Sequence, residues 1–461
     1  MNRPPQRQSR PTRRKPLDPA RRAAFDVLRS VSERDAYANL LLPAMLAERG
    51  IEGRDAAFAT ELTYGTCRAR GLLDAVIAHA AGRPTDRIDP VLLDLLRLGA
   101  YQLLRTRVEP HAAVSTTVEQ AGIEFDTARA GFVNGVLRTI AGRDEQSWIE
   151  ELAPDKTTDP VGYSAFRRAH PRWIAQAFTD ALGVHAGELD ALLASDDDRP
   201  EVHLAARPGA LTAAELAAQV GGSIGRLSPY AVHLSGGDPG RLAAVRDGSA
   251  QVQDEGSQLV ARALTLAELD GPDTGRWLDL CAGPGGKTAL LASIGAASGA
   301  RVDAVEPGER RAEMVEQNTR GMGVTVHRVD GRESGLEPGF DRVLVDAPCT
   351  GLGALRRRPE ARWRRQPGDV PALAKLQKEL LAAAIELTRP GGVVVYATCS
   401  PHLAETVGVV ADALRRHRVT AMDTRQLFAP ATDLGAGPHV QLWPHRHGTD
   451  AMFAAAFRKV G

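Results

Sequence analysis

Hydrophobic positions in the first third of the chain recur with the spacing of amphipathic helices. Between residues 19 and 143 apolar side chains repeat every three or four positions, as in Ala23, Val27, Leu28 and Val31. Turn residues interrupt the pattern often enough to give helices of ordinary length. The pattern therefore predicts an all-α domain over residues 19–143.

The periodicity changes after Gln251, where short β-branched or apolar runs alternate with helical stretches. Such alternation predicts a mostly parallel, doubly wound α/β domain, which we assign to residues 241–461. In these sheets ligands bind beyond the carboxyl ends of the strands, so the candidate chemistry is expected there. The predicted strands are Arg276–Leu280, Arg301–Val305, Val324–Val329, Asp341–Val345 and Gly392–Tyr396.

The segment between these domains, residues 144–240, gives mixed signals and is interpreted as a linking subdomain. Its clearest strand signal is Glu201–Ala206, and a cluster of basic residues surrounds Trp173. An aromatic ring among cations suits contact with nucleic acid bases and phosphates. Trp173 with Ile174 and Phe178 equally forms the apolar stripe of an ordinary helix, and both interpretations stay open.

Composition is that of a soluble protein with several domains. The chain has 461 residues, 43% hydrophobic and 25% charged, which excludes a single small module and wholesale disorder. Its 57 basic residues balance 57 acidic ones, so any contact with nucleic acid must be local. The first fifteen residues hold basic residues and no acid, which predicts an extended basic arm over residues 1–18 or a solubilising tail.

Four cysteines, Cys67, Cys281, Cys349 and Cys399, contain no C-x-x-C pair, so neither a zinc site nor a disulfide framework is indicated. No apolar run approaches the length of a membrane span, and the charged start lacks the core of a signal peptide. We therefore expect a cytoplasmic protein without metal or membrane partner.

A glycine-rich turn follows the first predicted strand of the C-terminal domain. It fails the phosphate-loop pattern because Cys281 occupies a required glycine position, and it fails the dinucleotide fingerprint because Thr288 replaces the third glycine. Such a turn still brings backbone N–H groups close to a ligand. The predicted cofactor-binding residues in it are Cys281, Ala282, Gly283, Pro284, Gly285, Gly286 and Lys287.

Acidic residues end four consecutive predicted strands, at Asp279, Glu306, Asp330 and Asp346. Glu306 lies 23 residues after Gly283, a spacing at which an acid accepts hydrogen bonds from ribose hydroxyls. A series of carboxylates at one edge also suits a positive charge. A ribose joined to a cation describes S-adenosylmethionine, which we predict as the cofactor, with Glu306, Asp330 and Asp346 among its binding residues.

Two cysteines follow predicted strands at the same edge of the sheet. Cys349 lies just after Asp346 and the fourth strand, and Cys399 follows the fifth strand. A single cysteine is most often a buried structural residue. Two thiols in equivalent positions at the ligand-binding edge favour a chemical role instead.

These motifs resemble those of a known family. The runs LDLCAGPGGKT (278–288), DAPCTGLGALRRRPEARWRR (346–365) and YATCS (396–400) are similar to motifs of the RNA cytosine-C5 methyltransferases of the Sun/Fmu (RsmB) type. The runs HAAV (111–114) and VNGVLR (133–138) resemble the NusB-like RNA-binding domain of that family, and QDEGSQ (253–258) resembles the entry to its catalytic domain. The run 360–363 departs from the family, which more often has lysine where Arg362 stands.

The resemblance implies an all-α NusB-like domain joined to a Rossmann-like methyltransferase domain that forms 5-methylcytosine in 16S ribosomal RNA. It assigns Cys399 as the nucleophile that adds to cytosine C6 and Cys349 as the residue that assists elimination. We expect Asp346 to bind the N3/N4 edge of cytosine.

The basic run after Cys349 gives the predicted RNA contacts; its alternative is a solvated helix face. The expected partner is 16S ribosomal RNA before the subunit is fully assembled, bound by a monomer. The same chemistry on transfer RNA or DNA, and an RNA-binding assembly factor, remain as alternatives. The predicted RNA-binding residues are Arg356, Arg357, Arg358, Arg362 and Trp363.

Overall fold

The computed structural model describes residues 17–461, so the predicted basic arm lies almost entirely outside the described residues. The chain divides into two compact units, one ending at Ala153 and the other spanning Pro154–Gly461. Within the described part, no helix combines the length and apolar character needed to cross a membrane.

The N-terminal unit is helical, as the periodicity predicts. Asp18 begins its first helix by accepting a hydrogen bond from the Arg21 N–H, and Asp89 caps the fourth helix in the same way. The apolar positions of the predicted stripe, including Ala23 and Val27, are fully buried. The helices are α1 (Pro19–Arg34), α2 (Ala38–Glu48), α3 (Gly53–Ala81), α4 (Pro90–Arg105), α5 (Pro110–Glu124), α6 (Thr127–Ile140) and α7 (Glu145–Leu152).

The C-terminal unit begins with three helices and a small antiparallel sheet. The sheet has the strand order β2-β3-β1-β4. The elements are α8 (Pro160–Arg167), α9 (Arg172–Leu182), α10 (Leu189–Ser195), β1 (Val202–Ala206), α11 (Ala213–Val220), β2 (Ser223–Ile224), β3 (Ala231–Leu234), α12 (Ala243–Arg246) and β4 (Ala250–Val252).

The apolar side chains of the helix that carries Trp173 pack into the interior of this unit. Ile174 and Phe178 on α9 are buried, and Trp173 packs against the same hydrophobic core. Arg168 pairs with Asp190. These contacts favour the helix-core interpretation of the Trp173 stripe.

The remainder of this unit is a large mixed sheet with helices on both faces. Its strand order is β10-β12-β9-β8-β5-β6-β7, and β11 pairs with β12. The elements are α13 (Glu255–Leu266), β5 (Arg276–Asp279), α14 (Gly286–Gly295), β6 (Arg301–Val305), α15 (Glu309–Asn318), β7 (Thr325–His327), β8 (Phe340–Asp346), α16 (Ala361–Arg364), α17 (Asp369–Leu387), β9 (Thr388–Thr398), α18 (Val407–Arg416), β10 (Val419–Ala421), α19 (Thr424–Leu427), β11 (Val440–Gln441), α20 (Pro444–His447) and β12 (Phe453–Lys459).

Strands β5 to β9 are parallel, in agreement with the predicted doubly wound sheet. Strand β12 adds antiparallel to β9, with Phe453 opposite Thr398, and β10 adds to β12. Sequence periodicity did not identify β12, because its alanine-rich run has no clear period of two. The strand order reverses between β5 and β8, and this switch point is where such sheets bind ligands.

Strand β8 is buried on both faces. Val343 and Val345 pack into the core that includes Leu381 of α17, whereas Leu344 packs into the opposite core with Leu259 of α13. A strand covered on both sides needs apolar side chains in succession, which explains the run Val343-Leu344-Val345. This packing fixes the position of the loop that follows β8.

We predict that Leu344→Ala lowers the free energy of unfolding by about 2–5 kcal/mol, because it leaves a cavity in a closed core. Leu266, at the end of α13, is 45% exposed. The same change there serves as control and should have an effect below about 1 kcal/mol. Urea titration followed by circular dichroism measures both, and equal losses would contradict the packing described.

Candidate active site

The predicted glycine turn connects β5 to α14 and needs glycine for space. Gly285 has a φ of +107°, and a Cβ there would lie 2.9 Å from the Val315 Cα. A Cβ on Gly283 would lie 2.3 Å from the Glu306 Oε2. The turn therefore packs closely on the ends of neighbouring elements and leaves its backbone next to an acidic side chain.

Glu306 and Asp279 are buried carboxylates on either side of this turn. Glu306 accepts hydrogen bonds from the N–H groups of Gly283, at 3.2 Å, and Gly308, at 3.0 Å. Asp279 accepts one from the Thr288 hydroxyl at 2.7 Å, and its other oxygen, Oδ1, has no hydrogen-bond partner among the described residues. An unpartnered buried oxygen is available to a ligand.

Asp330 has a different environment from the other strand-end acids. It is half-exposed and accepts hydrogen bonds from the backbone and guanidinium of Arg332. Arg332 also pairs with Glu379 of α17. A role of Asp330 in cofactor binding stays a prediction.

Carboxylates make the crevice electrically negative. Burial raises the pKa of Asp279 to about 6, and nearby Asp346 contributes to the rise. Burial also raises the pKa of the Cys281 thiol well above its usual range, with further effects from Asp279, Asp346 and Glu306. The smaller contribution, from neighbouring carboxylates, is the one that would also favour a bound cation.

Lys287 and Asp346 form an ion pair across the crevice. The Lys287 Nζ lies 2.7 Å from an Asp346 carboxylate oxygen and 3.3 Å from the Ser257 hydroxyl. Although burial opposes it, Asp346 raises the pKa of Lys287. The lysine is therefore protonated and fixes the orientation of the Asp346 carboxylate.

The two cysteines predicted to be functional meet in the structure. Cys349, after β8, and Cys399, after β9, have their sulfur atoms 3.4 Å apart, and both side chains are partly exposed. The hydrogen bond between them lowers the pKa of Cys399, and nearby Lys287 also lowers it. The same hydrogen bond, with burial, raises the pKa of Cys349 well above its usual range. Burial and Asp346 oppose the lowering of the Cys399 pKa, but the direction of the two shifts makes Cys399 the member of the pair that ionises more readily.

The basic run after Cys349 is not the exposed surface that the sequence suggested. Arg356 is buried and pairs with Asp450 at 2.8 Å and Asp254 at 3.1 Å. Arg357 pairs with the same two carboxylates, at 2.9 and 2.8 Å. Both arginines are therefore engaged in ion pairs within the protein, and their predicted RNA contacts stay predictions.

Arg362 is fully buried and pairs with Asp197 at 3.0 Å. A guanidinium buried in this way is held by contacts within the protein, and the predicted RNA contact of Arg362 stays a prediction. Arg358 is exposed and Trp363 is half-buried, so their roles stay predictions. The acids that bind these arginines are distant in sequence, which is why spacing alone could not reveal the pairs.

Sequence reasoning missed one buried acid beside the thiols. Glu405 accepts hydrogen bonds from Thr350 and Ser400, the residues that follow Cys349 and Cys399. It lies in a short turn before α18, and a glutamate in such a position is common enough that no sequence signal marked it.

Glu201, His203 and His233 form a group in the described residues with the side chains to hold a metal ion. His203 and His233 are opposite each other on β1 and β3 and their rings stack at 4.1 Å. They also pair with carboxylates, such as His233 with Glu255 at 2.9 Å. The group lies on the small sheet and not among the residues of the crevice.

Comparison with known proteins matches both units. Residues 266–458 match the family model described as 16S rRNA methyltransferase RsmB/F, and residues 18–142 match the NusB family model. Ribosomal RNA small subunit methyltransferase B of Enterobacter sp. is 32% identical over 95% of this chain and 98% of its own. The chain belongs to the RsmB/F family of 16S rRNA methyltransferases. The predicted family and the predicted combination of an all-α NusB-like domain with a Rossmann-like methyltransferase domain are thus confirmed.

Two further proteins are similar to nearly the whole of this chain. The Mycobacterium tuberculosis protein named putative methyltransferase Rv1407 is 78% identical to this chain, and the match covers 98% of this chain and 99% of that protein. The solved structure of the protein PH0851 has a TM-score of 0.80 at 22% identity, and the match covers 96% of this chain and 99% of that one. The latter likeness shows a shared fold over both units.

The buried Asp279 gives a pH-dependent prediction. Its pKa is near 6 in the folded protein and near 4 in the unfolded chain, so folding loses stability as pH rises through this window. Asp279→Asn removes the titration. The difference in free energy of unfolding between this variant and the unaltered protein should therefore shift in favour of the variant by up to about 3 kcal/mol between pH 4 and pH 7.

Urea titrations at the two pH values measure this difference. Asp341→Asn is the matched control, because Arg389, acting against burial, lowers the pKa of Asp341. A carboxyl group with a lowered pKa stabilises the fold at pH values above its pKa in the unfolded chain. The control variant should therefore lose stability relative to the unaltered protein between pH 4 and pH 7. A pH-independent difference for Asp279→Asn would reject the inferred environment.

Proposed function

We propose that this protein transfers the methyl group of S-adenosylmethionine to carbon 5 of a cytosine in 16S ribosomal RNA. The observation that carries the proposal is the thiol pair, with sulfur atoms 3.4 Å apart and opposite pKa shifts. A protein that only binds RNA needs neither thiol. A methyltransferase that adds directly to a nitrogen or hydroxyl would not need them either.

The crevice has the features that the cofactor requires. Gly283 and Gly285 leave room for close backbone approach, and Glu306 is a buried acceptor suited to ribose hydroxyls. The negative environment of Asp279 and Cys281 suits a sulfonium ion. When bound, S-adenosylmethionine supplies an electrophilic methyl group; the chain supplies the carboxylates and glycines that would hold it.

Cys399 is assigned as the nucleophile. Cytosine C5 is a weak nucleophile, but addition of a thiolate to C6 makes C5 enamine-like and able to accept a methyl group. Cys399 is the member of the pair whose pKa is lowered. After methyl transfer a base must take the C5 proton; the electrons of that bond re-form the C5–C6 double bond, and the Cys399 sulfur leaves C6 as a thiolate. Cys349 lies next to Cys399 and is assigned to assist this elimination.

Asp346 is assigned to recognition of the base. Its carboxylate, oriented by protonated Lys287, accepts a hydrogen bond from the cytosine amino group. Uracil presents a carbonyl oxygen at the equivalent position, and two acceptors facing each other are unfavourable. This arrangement would therefore favour cytosine over uracil.

The choice of 16S ribosomal RNA follows from the family. The Enterobacter relative is named as a small-subunit ribosomal RNA methyltransferase and matches nearly the whole of this chain. Bisulfite sequencing of ribosomal RNA from cells with and without the gene tests the assignment. We expect one or a few 16S cytosines that resist bisulfite conversion in the parent strain to be converted in the deletion strain. An unchanged conversion pattern would count against the proposed substrate.

The two cysteines should give different phenotypes. Cys399→Ser is expected to abolish methyl transfer and any covalent complex, since it removes the nucleophile. Cys349→Ser is expected to slow release and to accumulate a covalent protein–RNA complex. Denaturing gel electrophoresis with labelled 16S RNA separates the outcomes; Cys67→Ser, a change at a buried cysteine of the N-terminal unit, is the control. Activity in Cys399→Ser would refute the mechanism.

Substitutions at Arg358 and Arg356 should have different effects, because Arg358 is predicted to contact RNA whereas Arg356 forms ion pairs within the protein. Arg358→Ala should weaken RNA binding and reduce the slope of log Kd against log salt concentration by about 1, as expected for one lost phosphate contact. Arg356→Ala instead removes one of the two arginines that pair with Asp254 and Asp450 and should cost up to about 3 kcal/mol of stability, because Arg357 still pairs with both carboxylates. Filter binding across a series of salt concentrations measures the effect of Arg358→Ala on RNA affinity. If this variant leaves the slope of log Kd against log salt concentration unchanged, Arg358 does not contact a phosphate.

A further inference from the structure

Glu405 is a fully buried carboxylate beside the thiol pair, and its described partners are neutral. The described residues place no lysine, arginine or histidine within ion-pair distance of it. Burying a charge in this way is costly unless hydrogen bonds compensate it. A carboxylate kept here without a cation therefore indicates a role that needs an acceptor at this point.

The hydrogen bonds of Glu405 join the two cysteine loops. One carboxylate oxygen, Oε1, accepts from the Thr350 N–H at 2.8 Å, and the other, Oε2, accepts from the Ser400 hydroxyl at 2.6 Å. The Thr350 hydroxyl also donates to Oε2 and lies 3.0 Å from that of Ser400. Thr350 and Ser400 directly follow Cys349 and Cys399, so a single side chain holds both loops.

Two further contacts tie the same loops into the protein. Gln377 on α17 donates to Glu405 at 3.0 Å and to the Pro348 carbonyl at 2.8 Å. The Gly353 N–H donates to the Cys399 carbonyl at 2.8 Å. Glu405 is the acceptor that connects the β8 loop, the β9 loop and α17.

We propose that Glu405 is a positioning residue that holds the loops of Cys349 and Cys399 together and so sets the separation of the two thiols. The consequence of this positioning for catalysis rests on the proposed cytosine chemistry, whereas its effect on the distance between the thiols does not.

Glu405→Gln is the sharpest substitution, because it keeps the size of the side chain. The amide offers one acceptor oxygen in place of two and removes the charge. The Thr350 N–H can only donate, so the amide oxygen must face it and the amide N–H2 then faces the Thr350 and Ser400 hydroxyls. These hydroxyls must turn to accept from the amide and lose Oε2 as their own acceptor. We therefore expect the loops to separate part of the time without loss of the fold.

The separation of the thiols can be measured directly in the full-length protein without RNA or cofactor. Dibromobimane becomes fluorescent when it bridges two nearby cysteines. We expect efficient bridging in the unaltered protein, none above background in Cys349→Ser, and bridging about tenfold slower in Glu405→Gln. Bridging as fast in Glu405→Gln as in the unaltered protein would overturn the proposal.

Asp341→Asn is the matched control for loss of a buried carboxylate. Asp341 is also fully buried, but it lies at the opposite end of β8 and binds Thr274, Arg276 and Arg389. This control should lower the melting temperature and leave bridging unchanged. If it slows bridging as much as Glu405→Gln does, the effect is one of general stability and the proposal fails.

A second variant covers the case in which Glu405→Gln does not fold. Ser400→Ala removes one donor and leaves the charge with its other bonds, so bridging should slow by several fold. Unchanged bridging in that variant would also overturn the proposal.

Kinetics with 16S RNA then link positioning to catalysis: kcat should fall in Glu405→Gln while KM for RNA stays the same. A raised KM with unchanged kcat would contradict a positioning role. If the unaltered protein methylates no cytosine, the proposed function fails while the bridging result still decides the role of Glu405.

Discussion

The parallel pairing of β8 with β9 is the constraint on which the site depends. Its register sets Asp346 opposite Ala397, so the loops that follow the two strands leave the sheet side by side. Cys349 and Cys399 are fifty residues apart in sequence and have their sulfur atoms 3.4 Å apart for this reason. Burial of β8 on both faces keeps that register, since a one-residue slip would exchange its two cores.

Charged side chains in this protein form local ion pairs and line the candidate active site, and they do not give the surface one uniform sign of charge. The balance of 57 basic and 57 acidic residues includes arginines, such as Arg356 and Arg362, that neutralise buried acids. It also includes the acids of the crevice, whose negative potential suits a cationic methyl donor. Neutral net charge is therefore compatible with an RNA substrate, provided that contact is made by local exposed groups.

The sequence predicted the two fold classes, the parallel strands and the meeting of the thiols, because each depends on local pattern or on the shared edge of a parallel sheet. It did not reveal the ion pairs of Arg356 and Arg362, whose carboxylate partners come from distant segments. It also missed β12, since an alanine-rich run has no distinct period, and Glu405, whose role exists only once two loops are adjacent. The missed features all depend on tertiary contacts.

The central claim is that the paired thiols are unequal, because Cys399 ionises more readily than Cys349. Alkylation by iodoacetamide at pH 7, with each cysteine quantified by peptide mass spectrometry, tests it most directly because only the thiolate reacts. The account predicts that Cys399 is modified first and that Cys349 follows more slowly. Faster modification of Cys349, or equal rates for the two, would contradict it.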